Sequence, residues 1–187
     1  MPLAKDLAHD HTVIVPDLRG LGRSSKPGSG FDKKTPWDEI VKHPLLWHFR
    51  FGGPDMERLV AGRERIYLDR FWNEFSADPG RFSEDAREHY AKLYALPGAM
   101  HSGFAQFAAF DQDAIDNRAF LAKGKLSMPV LAVGGEKSFA TMMATVMRFA
   151  ASNVHEAVVP DSGHWIMEEN PEAMIQIVRG FLGGSCQ

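Results

Sequence analysis

The sequence predicts an α/β protein: a partial core with a sheet of about three strands, interrupted by a mainly helical segment. Three observations carry this expectation. Short β-branched or apolar runs at Thr12–Val15, Pro129–Val133 and Glu156–Val159 have the length and composition of buried parallel strands. The later two are each followed by a helical apolar pattern, Ala140–Ala150 and Pro171–Leu182. Between the first strand and the second, aromatic and amphipathic segments dominate, punctuated by Gly52-Gly53-Pro54, Asp78-Pro79-Gly80 and Pro97-Gly98.

Taken in order, Met1 to His11 is a short amphipathic stretch, and Thr12–Val15 then delivers Asp17 to the carboxyl end of a strand. Gly20, Gly22, Pro27, Gly28 and Gly30 make the loop that follows. Met56–Phe75 and Ser83–Tyr94 are amphipathic helical segments within the insert. The resulting division is a core fragment over 1–35, a helical cap over 36–118 and a C-terminal core fragment over 119–187. No internal repeat or low-complexity tract interrupts it.

Composition narrows the function classes. With 187 residues, 44% hydrophobic, 24% charged and a net charge of −3, the chain has the make-up of an ordinary globular protein. Lys and Arg are scattered among Asp and Glu, so no basic stripe tracks phosphates and no polybasic anchor meets an anionic membrane. No apolar run reaches membrane-spanning length, and the N-terminal stretch carries Lys5, Asp6 and Asp10 in place of a signal-like apolar run. The expectation is a cytoplasmic protein that takes a small apolar molecule and neither nucleic acid nor membrane. Cys186, the single cysteine, lies in the C-terminal Gly183–Gln187 segment without an intrachain partner. His43, His89 and His101 show no ligand spacing with Cys or carboxylates, so neither a metal nor another cofactor is expected.

The chemistry concentrates in Val158-Val159-Pro160-Asp161-Ser162-Gly163-His164-Trp165, followed by Glu168-Glu169-Asn170-Pro171 and a helix. A histidine on a glycine-bearing loop just past a strand reaches the carboxyl edge of the sheet, where open α/β sheets bind ligands. A lone histidine is more often structural, but this segment resembles the D-x-G-H loop and E-x-P helix start of α/β-hydrolases of the epoxide-hydrolase and haloalkane- or fluoroacetate-dehalogenase type. Asp17-Leu18-Arg19-Gly20-Leu21-Gly22-Arg23-Ser24 resembles the D-x-R-G-x-G-x-S loop after the fourth strand of that family, where Asp17 and Arg19 would pin the loop. Pro129 to Phe139 resembles the seventh strand and its turn.

The resemblance implies a hydrolase that opens an epoxide or carbon–halogen bond through an alkyl-enzyme ester, with His164 activating the hydrolytic water. Many relatives carry the histidine's acid two residues after the position of Glu136, where this chain has Ser138, so the acid is either Glu136 or, as in some family branches, a residue after the sixth strand. Leu46-Trp47-His48-Phe49 resembles a lid segment, making Trp47 and His48 candidate pocket-lining residues together with Trp165. Phe107 stands where such enzymes often use a tyrosine. No G-x-[S/D/C]-x-G turn occurs, and Lys33-Lys34-Thr35 passes directly into Pro36-Trp37 where relatives place the nucleophile elbow. Met1-Pro2-Leu3-Ala4 resembles the helix before the fourth strand, so the first three strands and the oxyanion loop are expected to lack counterparts. The expected product is an inactive, truncated hydrolase. The alternative is a non-catalytic binding protein whose aromatic cap residues, Trp37, Trp47 and Trp72 among them, favour homo-oligomers.

Overall fold

A computed structural model describes residues 2–13 and 44–184. The helices are α1 (Pro2–Leu7), α2 (Pro54–Val60), α3 (Glu64–Phe75), α4 (Glu84–Tyr94), α5 (Ala99–Ala108), α6 (Phe110–Leu121), α7 (Met142–Ala150), α8 (Ile166–Glu169) and α9 (Pro171–Leu182). Two 3-10 helices, Pro44–Arg50 and Pro79–Arg81, accompany them, and the strands are β1 (Leu126–Gly135) and β2 (Ala151–Val159).

Contacts divide the chain into two compact units. The first holds Met1–Val15, Asp69–Ser83 and Lys125–Gln187; the second holds Pro16–Leu68 and Glu84–Gly124. Asp69–Ser83, inside the stretch 36–118 read as cap, therefore clusters with the C-terminal residues. The boundary cuts α3 itself, whose first five residues belong to the second unit and the rest to the first.

In the first unit β1 and β2 pair in parallel from Leu126↔Ala151 to Gly135↔Val159, with a register shift between Leu126 and Pro129. Parallel partners require a crossover, and α7 supplies it, packing on both strands. The expected strand at Pro129–Val133 is longer, and only its carboxyl end, at Ala132, Gly134 and Gly135, is buried. The expected strand at Glu156–Val159 begins five residues earlier, at Ala151. Ser152, Asn153, His155 and Glu156 hide it from an apolar-run criterion, whereas pairing with β1 satisfies the backbone whatever the side chains. Thr12 and Val13 lie outside any helix or strand. The remainder of that expected strand, the D-x-R-G loop from Asp17 to Ser24, the junction at Lys33–Trp37, His43 and Cys186 lie outside the described residues.

Helix limits follow local chemistry. The expected segment Met56–Phe75 divides into α2 and α3, because Gly62 adopts a φ of +74° and its N–H turns to the Glu64 carboxylate. α7 starts at Met142 and not at Ala140, whose φ of 42° places it in the turn with its N–H donated to Gly135 O. α9 occupies the expected range, with Pro171 in its first turn and the Asn170 side chain accepting from Ala173 N. The first unit buries Trp72, Phe82, Ala132, Ala144, Val159 and Met174, with Trp72 stacked on Phe82 at 5.0 Å. In the second, Val60, Met100 and Phe104 form a core against which Phe51, Met56, Tyr67 and Tyr94 pack.

Candidate active site

The histidine loop leaves β2 at Val159 and turns at Asp161, whose φ of 50° is one that aspartate tolerates better than most residues. Ser162 is fully buried and its hydroxyl donates to Pro160 O at 3.1 Å. The adjoining turn after β1 is bonded to the same loop, with Glu136 N donating to Val159 O at 3.0 Å and Lys137 N to Ser162 O at 2.9 Å. Glycine is obligatory where the histidine loop meets its two neighbouring segments. A Cβ on Gly135 would lie 1.9 Å from Gly163 O, and one on Gly163 would lie 2.3 Å from Phe75 O and 2.5 Å from Ala77 N. Three stretches of backbone thus meet without side chains between them.

His164 is held from its own backbone, its N–H donating to Phe75 O at 2.8 Å. By accessible surface the residue is exposed, yet the rings of Trp165, Phe75 and Phe139 stand 4.9, 5.9 and 6.2 Å from its imidazole. This crowding strips water from much of the ring and pushes the imidazole below its ordinary pKa; the charge of Glu169 works in the opposite direction. A cavity of about 170 Å³ opens beside it, lined by Val133, Gly134, Gly135, Phe139, Met143, Gly163, His164 and Ile166. The cavity sits at the carboxyl end of β1, and among its described lining residues only His164 can move a proton.

Glu136 lies on the turn after β1, where its carboxylate accepts from Asp161 N at 2.9 Å and pairs with Lys137 Nζ at 3.3 Å. These two donors hold its pKa below the usual carboxylate value. Trp165 stands edge-on to His164 and donates its indole N–H to Phe71 O at 3.4 Å, but it is not among the residues that line the cavity. Trp47, His48 and Phe107 belong to the second unit. There His48 is buried, with the rings of Phe107 and Trp47 at 4.9 and 5.8 Å. The structure therefore gathers His164, Glu136 and Trp165 in one unit and the three cap candidates in the other.

One residue carries more than sequence reasoning assigned to it. Glu169, the glutamate of the E-x-P segment, is buried, and its carboxylate receives four backbone N–H groups, from Gly163, Trp165, Ala77 and Asp78. Arg81 adds a second clasp by donating to Asp161 O at 3.0 Å and to Glu169 O at 3.4 Å. The spacing of Glu169 from His164 was the available signal for the first; nothing local marks Arg81. Among the described residues no group of His, Cys, Asp and Glu could hold a metal ion, and no helix is long and apolar enough to cross a membrane.

No family model matches the chain. The soluble epoxide hydrolase of Corynebacterium sp. (strain C12) is 27% identical over 237 aligned positions, covering 94% of this chain and 82% of that protein. Since the chain has only 187 residues, that alignment includes residues of the relative with no counterpart here. Among solved structures, the epoxide hydrolase CorEH without ligand superposes with a TM-score of 0.84 at 26% identity, over 98% of this chain and 86% of that one. Wild-type Cfl2 from Burkholderia cenocepacia matches with a TM-score of 0.68 and 35% identity over 73% of this chain, which spans 47% of Cfl2. A histidine loop at the carboxyl edge of a parallel strand pair, joined to these likenesses, supports an epoxide-hydrolase-like α/β-hydrolase family for the chain.

Proposed function

We propose that the chain carries the water-activating half of an epoxide-hydrolase-type site, specific for a small apolar molecule, and that by itself it does not complete the reaction. The observation that carries this reading is the cavity at the end of β1, whose walls are apolar or glycine except for the imidazole of His164. Burial favours the neutral ring, the form able to accept a proton from water near neutral pH.

In the family reaction a carboxylate oxygen attacks the substrate carbon and the carbon–oxygen or carbon–halogen bond breaks. Water then adds to the resulting ester, giving its proton to histidine, and the alcohol leaves as the carboxylate is restored. His164 supplies the second step, but no Ser, Asp or Cys is among the described residues around the cavity to supply the first. The direct passage from Thr35 to Pro36-Trp37 is where this reading places the lost elbow, with 36–118 as cap and 1–35 and 119–187 as core.

Incubating the purified chain with styrene oxide or fluoroacetate should give no turnover above buffer. A rate that disappears in His164→Ala would refute the reading, because it would require a nucleophile within this chain. The apolar cavity also suits a second reading, a non-catalytic binder of small apolar ligands. A saturable change in the His164 ring signals with styrene oxide but no product would favour that binder.

A further inference from the structure

Every backbone N–H from Gly163 to Trp165 has a fixed acceptor, and two of the three end on one side chain. Glu169 Oε1 accepts from Gly163 N at 3.0 Å and from Trp165 N at 3.3 Å, the two residues flanking His164. Its other oxygen accepts from Ala77 N at 2.7 Å and Asp78 N at 3.2 Å. Burying an ionised carboxylate is costly unless its lone pairs are filled, and four N–H dipoles fill them. Arg81 donates to the Glu169 backbone oxygen and pairs with Asp78.

We infer that Glu169 is the positioning residue of His164, holding the peptide groups on both sides of the imidazole and supplying the negative charge that an acid partner would otherwise provide. The inference rests on His164 being the proton-accepting group proposed above. Glu136 does not compete for this role: its oxygens are taken by Asp161 N and Lys137. The charge of Glu169 also opposes the effect of burial on the imidazole. A buried carboxylate that fixes the backbone on both sides of a histidine, and whose charge favours the protonated ring, takes over the electrostatic part of a triad's third member but not its bond to the ring. Here it acts from beneath the loop, without a hydrogen bond to the ring.

The test is an NMR titration of the His164 ring in the full chain, compared with Glu169→Gln and Glu136→Gln. Glu169→Gln should lower the His164 midpoint and speed amide exchange at Gly163 and Trp165 about tenfold or more, as loss of a charged acceptor predicts. Glu136→Gln should leave the His164 midpoint in place. If Glu169→Gln does not fold, the unmodified chain decides. In it the amides of Gly163, Trp165, Ala77 and Asp78, which share one carboxylate, should exchange at one common slow rate.

An unchanged midpoint in folded Glu169→Gln, or four amides of the unmodified chain that exchange independently of one another, overturns the inference. Neither outcome touches the proposed function, which fails only through turnover dependent on His164.

Discussion

Gly163→Ala is the substitution that most directly challenges the account of the histidine loop. The new methyl group would fall 2.3 Å from Phe75 O and 2.5 Å from Ala77 N, both backbone atoms that no rotamer change can move aside. Either the loop or the 75–77 segment must withdraw. Overpacking of this kind costs about 1–3 kcal/mol, and withdrawal also weakens the bond from Gly163 N to the buried Glu169 carboxylate, a charged hydrogen bond worth about 1.5–3 kcal/mol. A net loss of about 3 kcal/mol for the closed loop corresponds to roughly hundredfold faster exchange of the Trp165 and Ala77 amides, measured by hydrogen exchange under native conditions. Gly103→Ala is the control. Gly103 lies within α5, with only an ordinary 3.7 Å contact to Tyr94 awaiting a methyl group, so alanine there should slow exchange in α5 by an amount equivalent to about 0.5–1 kcal/mol. Exchange at Trp165 and Ala77 that stays within about twofold in Gly163→Ala would refute the close-packed loop.

Two further outcomes follow from the charges. Since burial holds the His164 pKa below its ordinary value of 6.5, the unfolded chain binds the proton first as pH falls. Stability from this group is therefore fully present above 6.5 and is lost as pH drops from there through the folded-state value; urea midpoints across that window should slope downward toward acid, and the slope should vanish in His164→Gln. Arg179 on α9 donates to Asp6 Oδ2 at 2.5 Å and Asp10 Oδ2 at 2.8 Å, tying down α1. Arg179→Ala should release α1 to limited proteolysis, and raised salt should mimic it in the unmodified chain; equal protease resistance at all salt concentrations would contradict that role.

The residues themselves determined a good deal about this protein. The D-x-G-H segment and the apolar run at Pro129–Val133 marked a histidine loop beside a strand, and Pro171 with Asn170 marked where α9 begins. These features are local: a strand-forming run, a turn and a helix cap each act through neighbours in the chain, so their signals survive in the sequence. Tertiary structure decided the rest. Polar β2 became a strand from Ala151 onward because β1 offered it a hydrogen-bonding edge. Glu136 turned to Asp161 N, while Glu169 became the buried anion under His164, because the four N–H groups it meets come from segments 92 residues and only a few residues away in the chain. Gly163 is required because the backbone of Phe75 to Ala77 lies against it, a contact that no local pattern around either segment encodes. A carboxylate's role depends on which donors folding brings to it, and donors distant in sequence leave no periodic trace.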